Sequence, residues 1–159
     1  MSVIGHDPML SLVVFSIAGQ RYALNLPVVE RVLRMVEVSP LPKAPLIVLG
    51  VINFHGEIIP AIDIRRRFGH SPSHYGFTSS LLVARTSRRK LALPVDEVFG
   101  VQEVSSETVT LPDAVLPGTG LVAGIVALPD GVLFIHDLDT FLSSDEEQRL
   151  TVAFEGKVE

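Results

Sequence analysis

Apolar residues fall in short runs along this chain, rich in Val, Ile and Leu, and Pro or Gly interrupts them about every ten residues. That spacing predicts an all-β barrel or sandwich rather than long amphipathic helices. A first set of strands is expected near Leu12–Ile17, Arg21–Asn25, Val32–Val38, Leu49–Phe54 and Ile58–Ile64. A second is expected near Ser80–Arg85, Lys90–Val95, Val101–Val104, Val122–Leu128 and Val132–Leu138. One helical turn fits between Leu26 and Arg31. Ser144-Asp145-Glu146-Glu147 reads as a capping box that opens a C-terminal helix over about 143–155.

The two sets repeat each other. Leu12, Val14, Ala23, Leu24, Val29 and Val32 recur without a gap at Leu81, Val83, Ala92, Leu93, Val98 and Val101, an offset of 69. Val48, Gly50 and Asp63 recur at Val122, Gly124 and Asp137 with an offset of 74, so the second copy carries about five extra residues around Leu111–Gly120. A small sheet cannot bury both faces alone. The expectation is one unit over residues 1–159, made of two similar five-stranded barrels, SH3-like or OB-like, one per copy. The copies run over about 10–69 and about 79–142, with Phe68–Phe77 as connector.

Composition narrows the function. At 159 residues, folding should bury roughly 70% of the extended chain's surface, enough for a full core. With no cysteine, disulfides, thiol nucleophiles, iron–sulfur clusters and zinc sites that need sulfur are excluded. A net charge of −5 and a tryptophan-free chain that is 6% aromatic argue against wrapping or stacking on nucleic acid. No apolar run approaches the roughly 20 residues that cross a bilayer. No basic residue precedes Arg21 to make a signal peptide, so a cytoplasmic address without membrane insertion is expected. Charge is uneven: residues 1–90 carry a net +6 and residues 91–159 a net −11. That asymmetry fits either solubility or electrostatic steering of partners onto opposite ends.

Five histidines raise the question of metal or acid–base chemistry, yet only His70 and His74 share a ligand-like spacing, and they straddle Pro72 in the connector. Asp63 and Asp137 sit at strand ends, where aspartate commonly closes a turn onto backbone N–H groups. Arg65-Arg66-Arg67 and Arg88-Arg89-Lys90 suit a strand edge and a hairpin tip better than RNA. A nucleic-acid-binding barrel and a small enzyme using His and Asp are the alternatives to a binding module without an active site.

The densest motif is Leu49-Gly50-Val51-Ile52-Asn53-Phe54-His55-Gly56-Glu57-Ile58-Ile59-Pro60-Ala61-Ile62-Asp63-Ile64, two strands joined at a turn where Gly56 can take positive φ. Pro60 places the second strand at an edge or a bulge. With Tyr22-Ala23-Leu24, Val29-Glu30-Arg31-Val32, Pro40-Leu41-Pro42 and the stretch Leu91–Val101, this hairpin resembles the CheW-like coupling proteins of bacterial chemosensory arrays, over Leu12 to about Leu142. The resemblance implies two small barrels, no catalytic residues, no metal and no cofactor. It implies an adaptor between a chemoreceptor's cytoplasmic tip and the regulatory domain of a CheA-type histidine kinase. The implied binding residues are Val29, Arg31, Val32, Asn53, Phe54, His55 and Gly56. Two positions depart from the family: His55 stands where the turn usually has arginine, and Arg31 where glutamate is usual. Taken together, the exchange is expected to change the sign of the local surface and thereby partner choice.

Overall fold

The computed structural model describes residues 9–71, 75–76, 78–111 and 122–158. The chain runs β1 (Met9–Ile17), β2 (Gln20–Asn25), β3 (Val29–Arg34), β4 (Val48–Phe54), β5 (Glu57–Ile62), α1 (Ile64–Arg67), β6 (Ser80–Arg85), β7 (Lys90–Val95), β8 (Glu97–Ser105), β9 (Val122–Leu128), β10 (Gly131–His136) and α2 (Ser144–Val158). The strands form two five-stranded sheets, in the orders β8-β1-β2-β10-β9 and β3-β6-β7-β5-β4. Bridges between Thr110 and Ile125 and between Ser39 and Val51 draw the two sheets round into a first and a second barrel.

Exchanging each strand for its counterpart in the other copy converts one sheet order into the other, so the duplication read from the sequence extends to the topology. The expectation that each copy builds its own barrel is corrected. Hairpin β1–β2 of the first copy completes the barrel of β8, β9 and β10, and hairpin β6–β7 of the second completes the barrel of β3, β4 and β5. The physical reason is burial on both faces. Leu12, Val14 and Ala23 face the core of the first barrel with Leu133 and Ile135, while Val13, Phe15, Tyr22 and Leu24 face a second core with Leu82, Ala84, Leu91 and Leu93. Leu81, Val83 and Ala92 line the interior of the second barrel with Ile52 and Ile59. The two exchanged hairpins thus stand back to back, and the largest core lies between the barrels.

Several boundaries differ from expectation. The turn after β2 is a 3-10 helix at Leu26–Val28, and β3 starts at Val29 rather than Val32. Strand β8 extends back to Glu97 because its ladder with β1 continues past a bulge to Glu97 opposite Ser16. Pro60 is at neither an edge nor a bulge: β5 lies between β4 and β7, with Pro60 opposite Val51. Its parallel ladder with β7 is confined to Ala61 opposite Ala92, so few hydrogen bonds are lost to the proline. His6 and His74, the connector residues Pro72–His74 and Phe77, and most of the extra segment near Leu111–Gly120 lie outside the described residues.

Polar groups tie the barrels together. Arg65, buried at the start of α1, donates to Asp96 at 2.5 Å, and the other oxygen of Asp96 accepts the amide of Ala18 in the β1–β2 turn at 2.8 Å. The Arg65 guanidinium also lies 5.5 Å from the Tyr75 ring, whose hydroxyl donates to Asp63. Burial, with Asp63 beside it, pushes the Tyr75 phenol up to about 12. Asp63 and Asp137 do close turns, accepting the amides of Arg66 and Asp139.

Helix α2 belongs to this junction. Its capping box begins at Ser143, one residue earlier than the sequence suggests: Ser143 Oγ accepts the Glu146 amide and Glu146 Oε1 accepts the Ser143 amide. Glu147 is instead buried and receives the Arg89 Nε proton at 2.8 Å, while Leu150 and Ala153 enter the inter-barrel core. Burial pushes the Glu146 carboxyl up, but the Ser143 amide and Arg67 at 2.6 Å outweigh it and hold it below the ordinary 4.5. A depressed folded value means stability that is complete above the unfolded pKa and lost as pH falls through the folded one. Glu146→Gln should therefore cost about 1 kcal/mol near neutral pH, and the difference from the parent should shrink below pH 4.5. Urea unfolding at several pH values checks this; a pH-independent difference would refute the assignment.

Candidate partner-docking surface

The seven residues singled out from sequence lie on two elements of the second barrel. Val29, Arg31 and Val32 belong to β3, where Arg31 and Val32 are exposed. Asn53 and Phe54 end β4, and His55 and Gly56 form its turn into β5. Phe54 pairs with Glu57, and the two residues between them have φ of 54° and 88°, a two-residue hairpin loop with both central residues left-handed. Gly56 meets that requirement without strain, and histidine is among the side chains that tolerate it best. Asn53 Oδ1 accepts the Gly56 amide at 2.8 Å and fixes the loop, while the His55 ring packs edge-on to Phe54 at 4.5 Å.

The two elements meet at one end of the barrel through a residue that the sequence reading did not single out. Lys90, the first residue of β7, lies 3.0 Å from Glu57 and 3.3 Å from Glu30. The hydrogen bonds to Glu57 and Glu30 hold its pKa above the ordinary lysine value, so it stays charged through the neutral range. Glu30 reaches Lys90 from a bulge: Val29 lies opposite Ala84 and Arg31 opposite Val83, leaving Glu30 as the extra residue.

The first barrel repeats this station with altered chemistry. Its bulge leaves Phe99 extra between Val98 and Gly100, and Phe99 is the counterpart of Glu30 at the 69-residue offset. Arg21, the counterpart of Lys90, sits 5.8 Å from the Phe99 ring and pairs with Asp130 in the β9–β10 turn at 2.8 Å. In each barrel a cation at a strand start thus joins a bulge to a hairpin turn. The signal that could have found it is the shared offset of Arg21 and Lys90, two cations each directly following a hairpin.

Arg31 and His55 are not joined: among the described residues no hydrogen bond or ion pair links them, and their neighbours Glu30 and Glu57 make the connection instead. His70 Nε2 lies 2.6 Å from the Tyr22 hydroxyl. Among the described residues no group of three or more His, Asp or Glu side chains is placed to hold a metal ion. None of their helices is long and apolar enough to cross a membrane. Arg65, Arg66 and Arg67 are engaged with Asp96, Asp63 and Glu146.

Two barrels that expose charged and apolar side chains on edge strands and hairpin turns present the surfaces of a docking or scaffold protein. The CheW-like domain family matches residues 11–146, and the chain belongs to it. It is 28% identical to the chemotaxis protein CheW of Treponema pallidum, over 91% of this chain and 89% of that one. It is 30% identical to CheW of Thermotoga maritima, over 80% of this chain and 84% of that one. The crystal structure of the scaffolding protein TtCheW from Thermoanaerobacter tengcongensis superposes with a TM-score of 0.78 at 28% identity, covering 87% of this chain and 96% of that one. The chain is accordingly a chemotaxis scaffold or adaptor protein. These relatives give no support to a nucleic-acid-binding barrel or to a small enzyme.

Proposed function

We propose that this chain couples chemoreceptors to a CheA-type histidine kinase in the cytoplasm, as a single unit over residues 1–159 that catalyses no reaction. In this reading it contacts the regulatory domain of the kinase barrel to barrel and the receptor at its cytoplasmic tip, and it binds neither nucleic acid nor membrane. The contact surface is Val29, Arg31, Val32, Asn53, Phe54, His55 and Gly56. One observation carries the proposal: Lys90 locks the start of β3 to the β4–β5 turn, so both stretches present one prearranged surface. On β3 that surface shows Val32, 49% exposed, beside Arg31, which has no carboxylate within ion-pair distance among the described residues.

Calorimetry against the kinase regulatory domain and the receptor tip tests this. Binding of about micromolar strength is expected, near −8 kcal/mol, as suits an array that assembles reversibly. No heat with either protein would overturn the reading. Arg31→Glu should weaken binding to the native partner about tenfold. Adding His55→Arg should improve binding to receptors served by relatives that carry glutamate and arginine there. Unchanged affinity in every combination would remove β3 and the turn from the recognition surface.

A further inference from the structure

The exchanged topology sharpens the charge asymmetry of the chain. Residues 26–95, which form the second barrel, hold ten basic and four acidic residues, a net +6. The described residues of the first barrel, 9–25, 96–111 and 122–143, hold one basic and seven acidic, a net −6. Much of the positive charge of the second barrel gathers at the β6–β7 hairpin, beside the station of Lys90.

That hairpin is rigid. Thr86 Oγ1 accepts the amides of Arg88 and Arg89 and donates to the Arg89 carbonyl, and Asp139 accepts the Ser87 amide from the first barrel. It forms one wall of a cleft of about 360 Å³ whose other walls are β5 and helix α2, with Ile58, Ile59, Pro60 and Phe154 as its apolar residues and Glu57 as its one acidic residue. Ile58 is 50% exposed. Four cations line the cleft, Arg85, Arg88, Arg89 and Lys90. Arg89 is occupied by Glu147, and Lys90 by Glu30 and Glu57. Arg85 and Arg88 are exposed, and among the described residues no carboxylate pairs with either.

We propose that this cleft is a second docking site of the chain, which takes an acidic protein segment carrying an apolar side chain between two carboxylates. The apolar group seats on Ile58 and Phe154, and the carboxylates pair with Arg85 and Arg88, whose planar forks match them in two-pronged fashion. Charge complementarity selects this occupant: a basic or neutral segment would leave both guanidinium groups unmatched beside a growing contact. The adjoining seven-residue surface is a separate contact, so the cleft rests on the adaptor reading only in assigning the site to a protein partner.

The probe is a short capped peptide of alternating Glu and Leu, titrated into the labelled full chain and followed by NMR, with a Lys-for-Glu peptide as control. Saturable shifts are expected at the Ile58 methyls and at the amides of residues 85–90, weakening about tenfold on going from low to high salt. Arg85→Glu with Arg88→Glu should abolish them, and Arg85→Lys with Arg88→Lys should retain most of the response. Should the double reversal disturb the fold, Ile58→Ser on the exposed face must weaken binding while leaving its salt dependence intact. Absence of shifts, shifts centred elsewhere, or an equal response to the Lys peptide would overturn the proposal. Peptide binding that persists while the kinase and receptor give no heat would sink the adaptor reading and leave the cleft standing.

Discussion

Gly50→Ala should be among the most damaging single substitutions in this chain, costing about 3 kcal/mol or more and lowering Tm by roughly 2–4 °C for each kcal/mol. Gly50 has φ of 153°, where side chains are rarely found, and a Cβ built on it would lie 2.2 Å from the carbonyl oxygen of Ser39. That oxygen accepts the Val51 amide at 2.7 Å, within the bridge that draws the second barrel closed. The obstacle is backbone, so relief requires separating the seam. Gly124, its counterpart in the first barrel, offers an internal control. A Cβ there would meet Val109 Cγ1 at 2.5 Å, a methyl that a rotamer change can move, and its φ is not in the left-handed region. Gly124→Ala should cost about 1 kcal/mol. Thermal and urea unfolding of both variants, with the parent alongside, checks the contrast. Equal costs would mean that the seam of the second barrel opens without penalty.

Asp96→Ala should cost about 2 kcal/mol. It leaves the buried Arg65 charge without its carboxylate and removes the acceptor of the Ala18 amide, two groups on opposite barrels. Breaking a fully buried pair costs about 3–5 kcal/mol, but Asp96 is 37% exposed, so water screens part of the effect. Removing both charges is expected to be milder than removing one: Arg65→Met with Asp96→Ala should recover about half of the loss. A double-mutant cycle measured by urea denaturation gives the coupling, and an additive cycle would show that the pair does not link the barrels.

The duplication was legible in the sequence because it is local: Leu12, Val14, Ala23 and Leu24 recur with Leu81, Val83, Ala92 and Leu93 wherever equivalent strands place equivalent side chains. The exchange of hairpins was not read, since a repeat reports conformation and leaves the pairing partner unspecified. A clue was present in the contrast between strands. Leu12–Phe15 and Leu81–Ala84 are apolar at every position, as strands buried on both faces require, whereas β3 and β8 mix charges with apolar residues and remain largely exposed. The helix start was missed by one residue because Ser143 and Ser144 offer the same hydroxyl, and only Glu146 bonding back to Ser143 decides between them. The turn Asn53–Gly56 was legible from its asparagine and glycine, but the lock that joins it to β3 was hidden. Glu30, Glu57 and Lys90 are far apart in sequence, and only the exchanged strand order brings them to one barrel end.

The exchange also sets a schedule for the growing polypeptide on the ribosome. Strand β1 emerges early, yet Val13 must wait for Val101, and β2 must wait for β10, before its ladders are complete. Closing loops of that length is slow compared with forming hairpins. Until β10 has been synthesised, hairpin β1–β2 keeps an apolar face without its cover, because Leu133 and Ile135 of that strand complete the core on which Leu12, Val14 and Ala23 lie. The second barrel, made wholly of residues 26–95, has all its strands before β8 is synthesised, so the order of synthesis lets it close ahead of the first barrel, which waits for β10.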